Sequence, residues 1–168
     1  MLFRSGEDSS VQDESYAGSE SESTKVPNLE VLLEQLLTEG PLRNDGVPYT
    51  SFSDKLGEYM DEDMVSGKYG ELGEMPDFGM FESYICYFTE NYDDEAAVFK
   101  LKNAADAETV KRFLRARVER LKKNAVNYPA LDVGKINGAL ISSEGVYVYM
   151  IISGDNNKAE EIIFESVR

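Results

Sequence analysis

Leu29, Leu32, Leu33, Leu36 and Leu37 recur at offsets of three and four, the spacing of one apolar helix face. The stretch opens near Pro27 or Asn28 and stops at Gly40-Pro41, so it predicts an amphipathic helix. Asn44-Asp45-Gly46-Val47-Pro48 then reads as a turn. Beyond it Ser53 or Asp54 would cap a second short helix carrying Leu56, Tyr59, Met60, Met64 and Val65, although Gly57 weakens it. Lys68 to Gly79 holds three glycines and Pro76, and is expected to be an irregular connector.

The second half is more regular. Tyr84-Ile85-Cys86-Tyr87-Phe88 is aromatic and β-branched, and after a polar turn Ala96 to Lys102 alternates, with Phe99 and Leu101 on one face and Lys100 and Lys102 on the other. This is a hairpin. Asn103 or Asp106 opens a long helix whose stripe is Val110, Phe113, Leu114, Val118, Leu121 and Ala125, ending before Tyr128-Pro129. A second hairpin runs from Gly138 to Ile152 through Ser143-Glu144-Gly145, and Asp155 caps a last helix with Ala159, Ile162 and Ile163 inward. Two strand-strand-helix units follow one another. They predict a two-layer α+β domain, an antiparallel sheet of about four strands with helices on one face, plus the amino-terminal helix.

Composition changes along the chain. From Ser5 to Thr24, serines alternate with Glu7, Asp8, Asp13, Glu14, Glu20 and Glu22, so residues 1–26 read as a disordered acidic tether and 27–168 as one folded domain. The tether reading has a plain form, a solvated tail, and a sharper one, a spacer between the domain and a membrane anchor. No window approaches 18 consecutive apolar residues.

Seventeen Lys and Arg stand against 32 Asp and Glu, a formal charge of −15. Nucleic-acid binding is disfavoured, because affinity for phosphates comes from Lys and Arg. The chain has no His, no Trp and one Cys. Imidazole catalysis, His-containing zinc sites and an internal disulfide therefore fall away together.

The ordered set of Glu95 to Lys102, Ala104 to Val110, Arg117, Tyr128-Pro129, Ile136 to Ala139, Gly145 to Val148 and Ile151 to Ser153 resembles a bacterial lipoprotein family. That family is catalogued only as domain of unknown function 4358. The resemblance spans roughly 29–168 and implies a precursor with an amino-terminal signal, a lipidated Cys, a polar tether and a domain outside the cytoplasmic membrane. Met1 to Arg4 is too short for the signal's apolar stretch and no Cys precedes Cys86, so the anchor is expected outside these 168 residues. The family has no established activity and supplies no catalytic residue.

Candidate sites come from the residues themselves. Lys111, Arg112, Arg115, Arg117, Arg120, Lys122 and Lys123 place seven cations on the long helix against Asp106, Glu108 and Glu119, net about +4, which leaves the remainder near −19. Such a face touches an anionic polymer or headgroup, or else simply neutralises the acidic remainder of the protein. From it Arg115, Arg117 and Lys122 are taken as binding candidates. Arg117, seven positions after Val110 and four before Leu121, lies at the edge of the stripe and is expected to be partly buried against a carboxylate or carbonyl.

On the last strand Val146, Val148, Met150 and Ile152 alternate with Tyr147, Tyr149 and Ile151. If one sheet face is open, Tyr147 and Tyr149 form a surface that stacks on sugar rings or a protein; the alternative is aromatic packing under a loop or the first helix. No metal or cofactor is expected. Asp61-Glu62-Asp63, Asp93-Asp94-Glu95 and Asp155-Asn156-Asn157 all lack the ligand spacing and glycine of a calcium loop. Cys86, inside an apolar strand, is expected to be a buried small hydrophobe. The leading expectation is a non-enzymatic, extracytoplasmic binding or adaptor domain whose partner is a protein or an envelope polymer. The alternatives are a carboxylate-pair hydrolase and a cytosolic acidic protein-interaction module.

Overall fold

The structure, a computed structural model, describes residues 28–70, 74, 76–91 and 93–168. The expectation of a tether over residues 1–26 lies outside them. In chain order the elements are α1 (Leu29–Thr38), β1 (Val47–Thr50), α2 (Glu62–Tyr69), β2 (Phe81–Phe88), β3 (Glu95–Leu101), α3 (Ala107–Ala125), α4 (Val133–Asn137), β4 (Leu140–Glu144), β5 (Tyr147–Ile152) and α5 (Asn156–Val167). Short 3₁₀ turns at Phe78–Met80 and Ala104–Asp106 lead into β2 and α3.

The α+β class stands, with two hairpins each followed by a helix. The strands form one antiparallel sheet in the order β1-β2-β3-β5-β4. Five strands replace the expected four, because Val47-Pro48-Tyr49-Thr50 is a strand and not the end of a turn. Pro48 cannot donate to a ladder, and β1 tolerates it by lying at the sheet edge, where only β2 pairs with it. Gly145, at φ +56°, closes the β4–β5 hairpin in a conformation that costs glycine nothing.

Helices cover both faces of the sheet, not one. Against one face α2 and α3 set Val65, Tyr69, Val110, Leu114, Val118 and Leu121 onto Cys86, Ala97, Phe99, Val148, Met150 and Ile152. Against the other, α1 and α5 set Leu29, Leu32, Leu36, Ala159 and Ile163 onto Ile85, Tyr87, Val98, Tyr149 and Ile151. A strand covered on both sides must be apolar at successive positions, and β5 is buried at all six of its residues.

Local chemistry sets the helix starts. Asn28 caps α1 by accepting from Glu30 N at 2.9 Å, and Asp155 caps α5 by accepting from Lys158 N at 3.1 Å. The second helix begins later than Ser53 or Asp54, because the cap that forms is Asp61, which accepts from Met64 N at 2.9 Å. It also runs into the expected connector, taking in Lys68 and Tyr69. Helix α4, a single turn capped by Asp132, had no counterpart in the apolar pattern. It brings Lys135 back to Asp94, beside the start of β3.

Candidate functional site

Tyr147 and Tyr149 do not form an open platform. They are 5% and 2% exposed, since α1 and α5 cover their face of β5, and Tyr149 Oη donates to Glu160 Oε1 on α5 at 3.0 Å. Packing under the first helix, the alternative weighed for them, is their place.

Most cations of α3 are engaged close to home. Lys122 pairs with Glu119 at 2.8 Å, and Arg115 lies 3.8 Å from Glu108, which also pairs with Lys111. Arg112 bridges to Glu74, and Arg120 donates to the carbonyls of Gly67 and Lys68 at the end of α2. The neutralising role therefore accounts for these residues, while Arg115 and Lys122 remain on the outer surface.

Arg117 turns inward as its position on the stripe required. It is 9% exposed, and its Nη2 and Nε donate to Glu95 Oε2 at 2.9 Å and Oε1 at 3.3 Å. The guanidinium fork matches the carboxylate with two parallel bonds. Tyr69 Oη adds a third, to Glu95 Oε1 at 3.2 Å. Burial alone would push Glu95 up, but the charges of Arg117 and Lys68 and the bonds from Arg117 and Tyr69 outweigh it and hold the carboxyl below its usual range.

Lys68 and Cys86 complete this buried centre. The Lys68 ammonium sits 3.4 Å from the Phe88 ring centroid, and Tyr49 stacks on the same ring at 5.1 Å. Burial lowers the Lys68 amine to about 8, against the raising charge of Glu95. Cys86 is fully buried, and its thiol is pushed up to about 12 by that burial. Only the thiolate reacts. Thiol reagents should leave the native protein unmodified and label it once it is unfolded in guanidinium; mass spectrometry of the two samples checks this, and rapid native labelling would refute the packing.

The sequence reading missed the arrangement around Asp93-Asp94-Glu95. Three consecutive acids take three different cations, each from a separate part of the chain. Asp93 binds Arg43 Nη1 at 2.8 Å and accepts from Thr89 Oγ1 at 2.7 Å. Asp94, fully buried, binds Lys135 Nζ of α4 at 2.6 Å and accepts from Arg43 N at 2.8 Å. Glu95 takes Arg117. The start of β3 is thus a clamp that fastens the segment after α1, α3 and α4 to one end of the sheet. Its signal was present as the acid run itself, but only topology brings residues 43, 117 and 135 to it.

The chemistry of this centre is that of a scaffold. General acid catalysis by a carboxyl needs a raised pKa, whereas Glu95 and Asp93 are both lowered, Asp93 by Thr89 and Arg43 against the opposing effect of burial. Among the described residues no group of three or more His, Cys, Asp or Glu is placed to hold a metal ion. Among them, too, no helix is long and apolar enough to cross a membrane.

Residues 77–153 match the family model described as Domain of unknown function (DUF4358). The matched span takes in β2, β3, α3, α4, β4 and β5, hence the whole sheet except β1. It is narrower than the resemblance over 29–168. The DUF4358 span contains both partners of the Glu95–Arg117 and Asp94–Lys135 pairs, while Arg43, Lys68 and Tyr69 contribute from outside it. No curated protein and no solved structure matches the chain.

Proposed function

We propose that this chain is a non-enzymatic binding or adaptor domain displayed outside the cytoplasmic membrane, carried on its Ser/Glu-rich amino-terminal segment and held to the membrane by a lipid anchor added upstream. The observation that carries the non-enzymatic part is the commitment of the buried reactive groups. Asp94 and Glu95 each close a salt bridge, and Cys86 is kept protonated in the core. The hydrolase alternative needs a carboxyl held protonated near neutral pH, and the environment of Glu95 pulls the opposite way. The location rests on the resemblance to bacterial lipoproteins; the match over residues 77–153 supplies the domain of unknown function alone.

The test is the fate of the native gene product: the full open reading frame is sequenced, cells are fractionated, and acyl labelling is followed. Labelled protein in the membrane fraction is expected. Unlabelled protein in the soluble fraction would discard the anchored reading in favour of a cytosolic interaction module.

A further inference from the structure

After β1 the chain makes a loop held by its own polar groups. Thr50 N donates to Glu58 O at 2.8 Å, Glu58 N to Lys55 O at 3.0 Å, and Ser51 N to Tyr84 O of β2 at 3.1 Å. Ser53 Oγ donates to Glu58 Oε2 at 2.6 Å and accepts from Lys55 N at 3.2 Å, while Gly57 takes φ +89° to turn the chain back. Two large apolar side chains stand out from this framework. Leu56 is 95% exposed and Phe52 49%, and neither belongs to either core. Scattered exposed apolar residues are ordinary. These two differ in standing on one backbone fixed by hydrogen bonds that do not involve their side chains, so a partner that buries them meets a surface already ordered.

Charge selects the partner. Across residues 51–64 the acids are Asp54, Glu58, Asp61, Glu62 and Asp63 against Lys55 alone. Lys55 lies 3.6 Å from Glu58 and Asp61 caps α2, so the stretch that carries the apolar pair has five acids against one lysine, a net charge of −4. An anionic bilayer is repelled by such a charge, whereas lysine and arginine are drawn to it. We infer that the loop from Ser51 to Leu56 and Gly57 is a docking loop for a protein partner that offers an apolar socket rimmed by lysine or arginine. The loop lies outside the DUF4358 span, and the inference rests on the binding or adaptor reading, for which it supplies the surface.

The experiment titrates the full 168-residue chain, isotope-labelled for NMR, with a short amphipathic helical peptide made of leucine and lysine. Amide shifts concentrated in residues 50–64 are expected, with affinity reduced about tenfold or more in the double variant Phe52→Ser, Leu56→Ser. That variant should unfold at the same denaturant concentration as the parent, because neither side chain packs in a core. Equal affinity in parent and variant would reduce the contact to bare charge attraction and overturn the proposal. So would absence of binding, shifts spread over the other acids, the same shifts on adding phosphatidylglycerol vesicles, or the same shifts on concentrating the chain alone. A soluble, unlabelled gene product would remove the location proposed above and leave this result standing; loss of the peptide contact would do the reverse.

Discussion

Arg117→Ala should lower the free energy of unfolding by about 3–5 kcal/mol, the cost typical of removing one partner from a buried ion pair. The change leaves Glu95, fully buried, without the two bonds from the guanidinium, and only Tyr69 and the nearby Lys68 charge remain to compensate it. For a domain of this size that corresponds to a fall in melting temperature of roughly 6–20 °C. Calorimetry or denaturant unfolding measures it. A loss below about 1 kcal/mol would mean that the pair is no more than a surface contact. The companion variant, Glu95→Leu with Arg117→Met, removes both charges at once and should recover most of that loss, with a residual cost from the Tyr69 hydroxyl and the Lys68 ammonium, which also face Glu95.

The same pair sets the acid limb of stability. Glu95 has a folded-state pKa below that of the unfolded chain, so the unfolded state holds more protons as pH falls. Its contribution is therefore fully present above the unfolded value, about 4.3 for a free Glu, and is lost as pH drops through the folded value. Glu95→Gln should flatten this limb, seen as a smaller fall in the urea midpoint between neutral pH and pH 3. An unchanged slope would assign the acid sensitivity to other carboxylates.

What the sequence made legible follows from how local each signal is. The helices α1 and α5 were readable because amphipathic spacing and an adjacent cap lie within a few residues of one another, and α3 because its apolar stripe runs through about five turns, although Asp106 at its start makes no side-chain cap. Arg117 was readable for the same reason, being a charged residue at the edge of its own helix's apolar stripe. Its partner was not, since Glu95 is 22 positions away and nothing in the spacing distinguishes it from Asp93 or Asp94. Strand β1 was hidden by Pro48, which marks a turn in a local reading and an edge strand only once β2 is known to pair with it. The second helical layer had a signal that the alternation of Phe99 and Leu101 with Lys100 and Lys102 obscured. Ala96 to Phe99 and Val146 to Ile152 are continuous apolar runs, and such runs require cover on both faces.

Tyr147 and Tyr149 turn that point into a measurable difference. If they formed a binding face, Tyr147→Ser with Tyr149→Ser would remove a ligand contact and leave folding untouched. The structure sets them instead against α1 and α5, with Tyr149 opposite Val98 on β3 and hydrogen-bonded to Glu160. Replacing Tyr149 alone by Ser deletes a buried ring, and large-to-small changes of that kind cost about 3–5 kcal/mol through lost transfer energy and the cavity left behind. Much of a typical domain's stability of about 5–15 kcal/mol would go with it, and the double variant should be unfolded or nearly so at ambient temperature. Tyr149→Phe separates the hydroxyl from the ring: it loses the hydroxyl's bonds to Glu160 and Ser142 and keeps the packing, and should cost about 0.5–1.5 kcal/mol. Urea unfolding followed by tyrosine fluorescence reads all three variants. A double variant as stable as the parent would put the tyrosines back on an open surface; a destabilised Tyr149→Ser beside a near-native Tyr149→Phe places the ring, rather than its hydroxyl, as the element that holds α1 and α5 to the sheet.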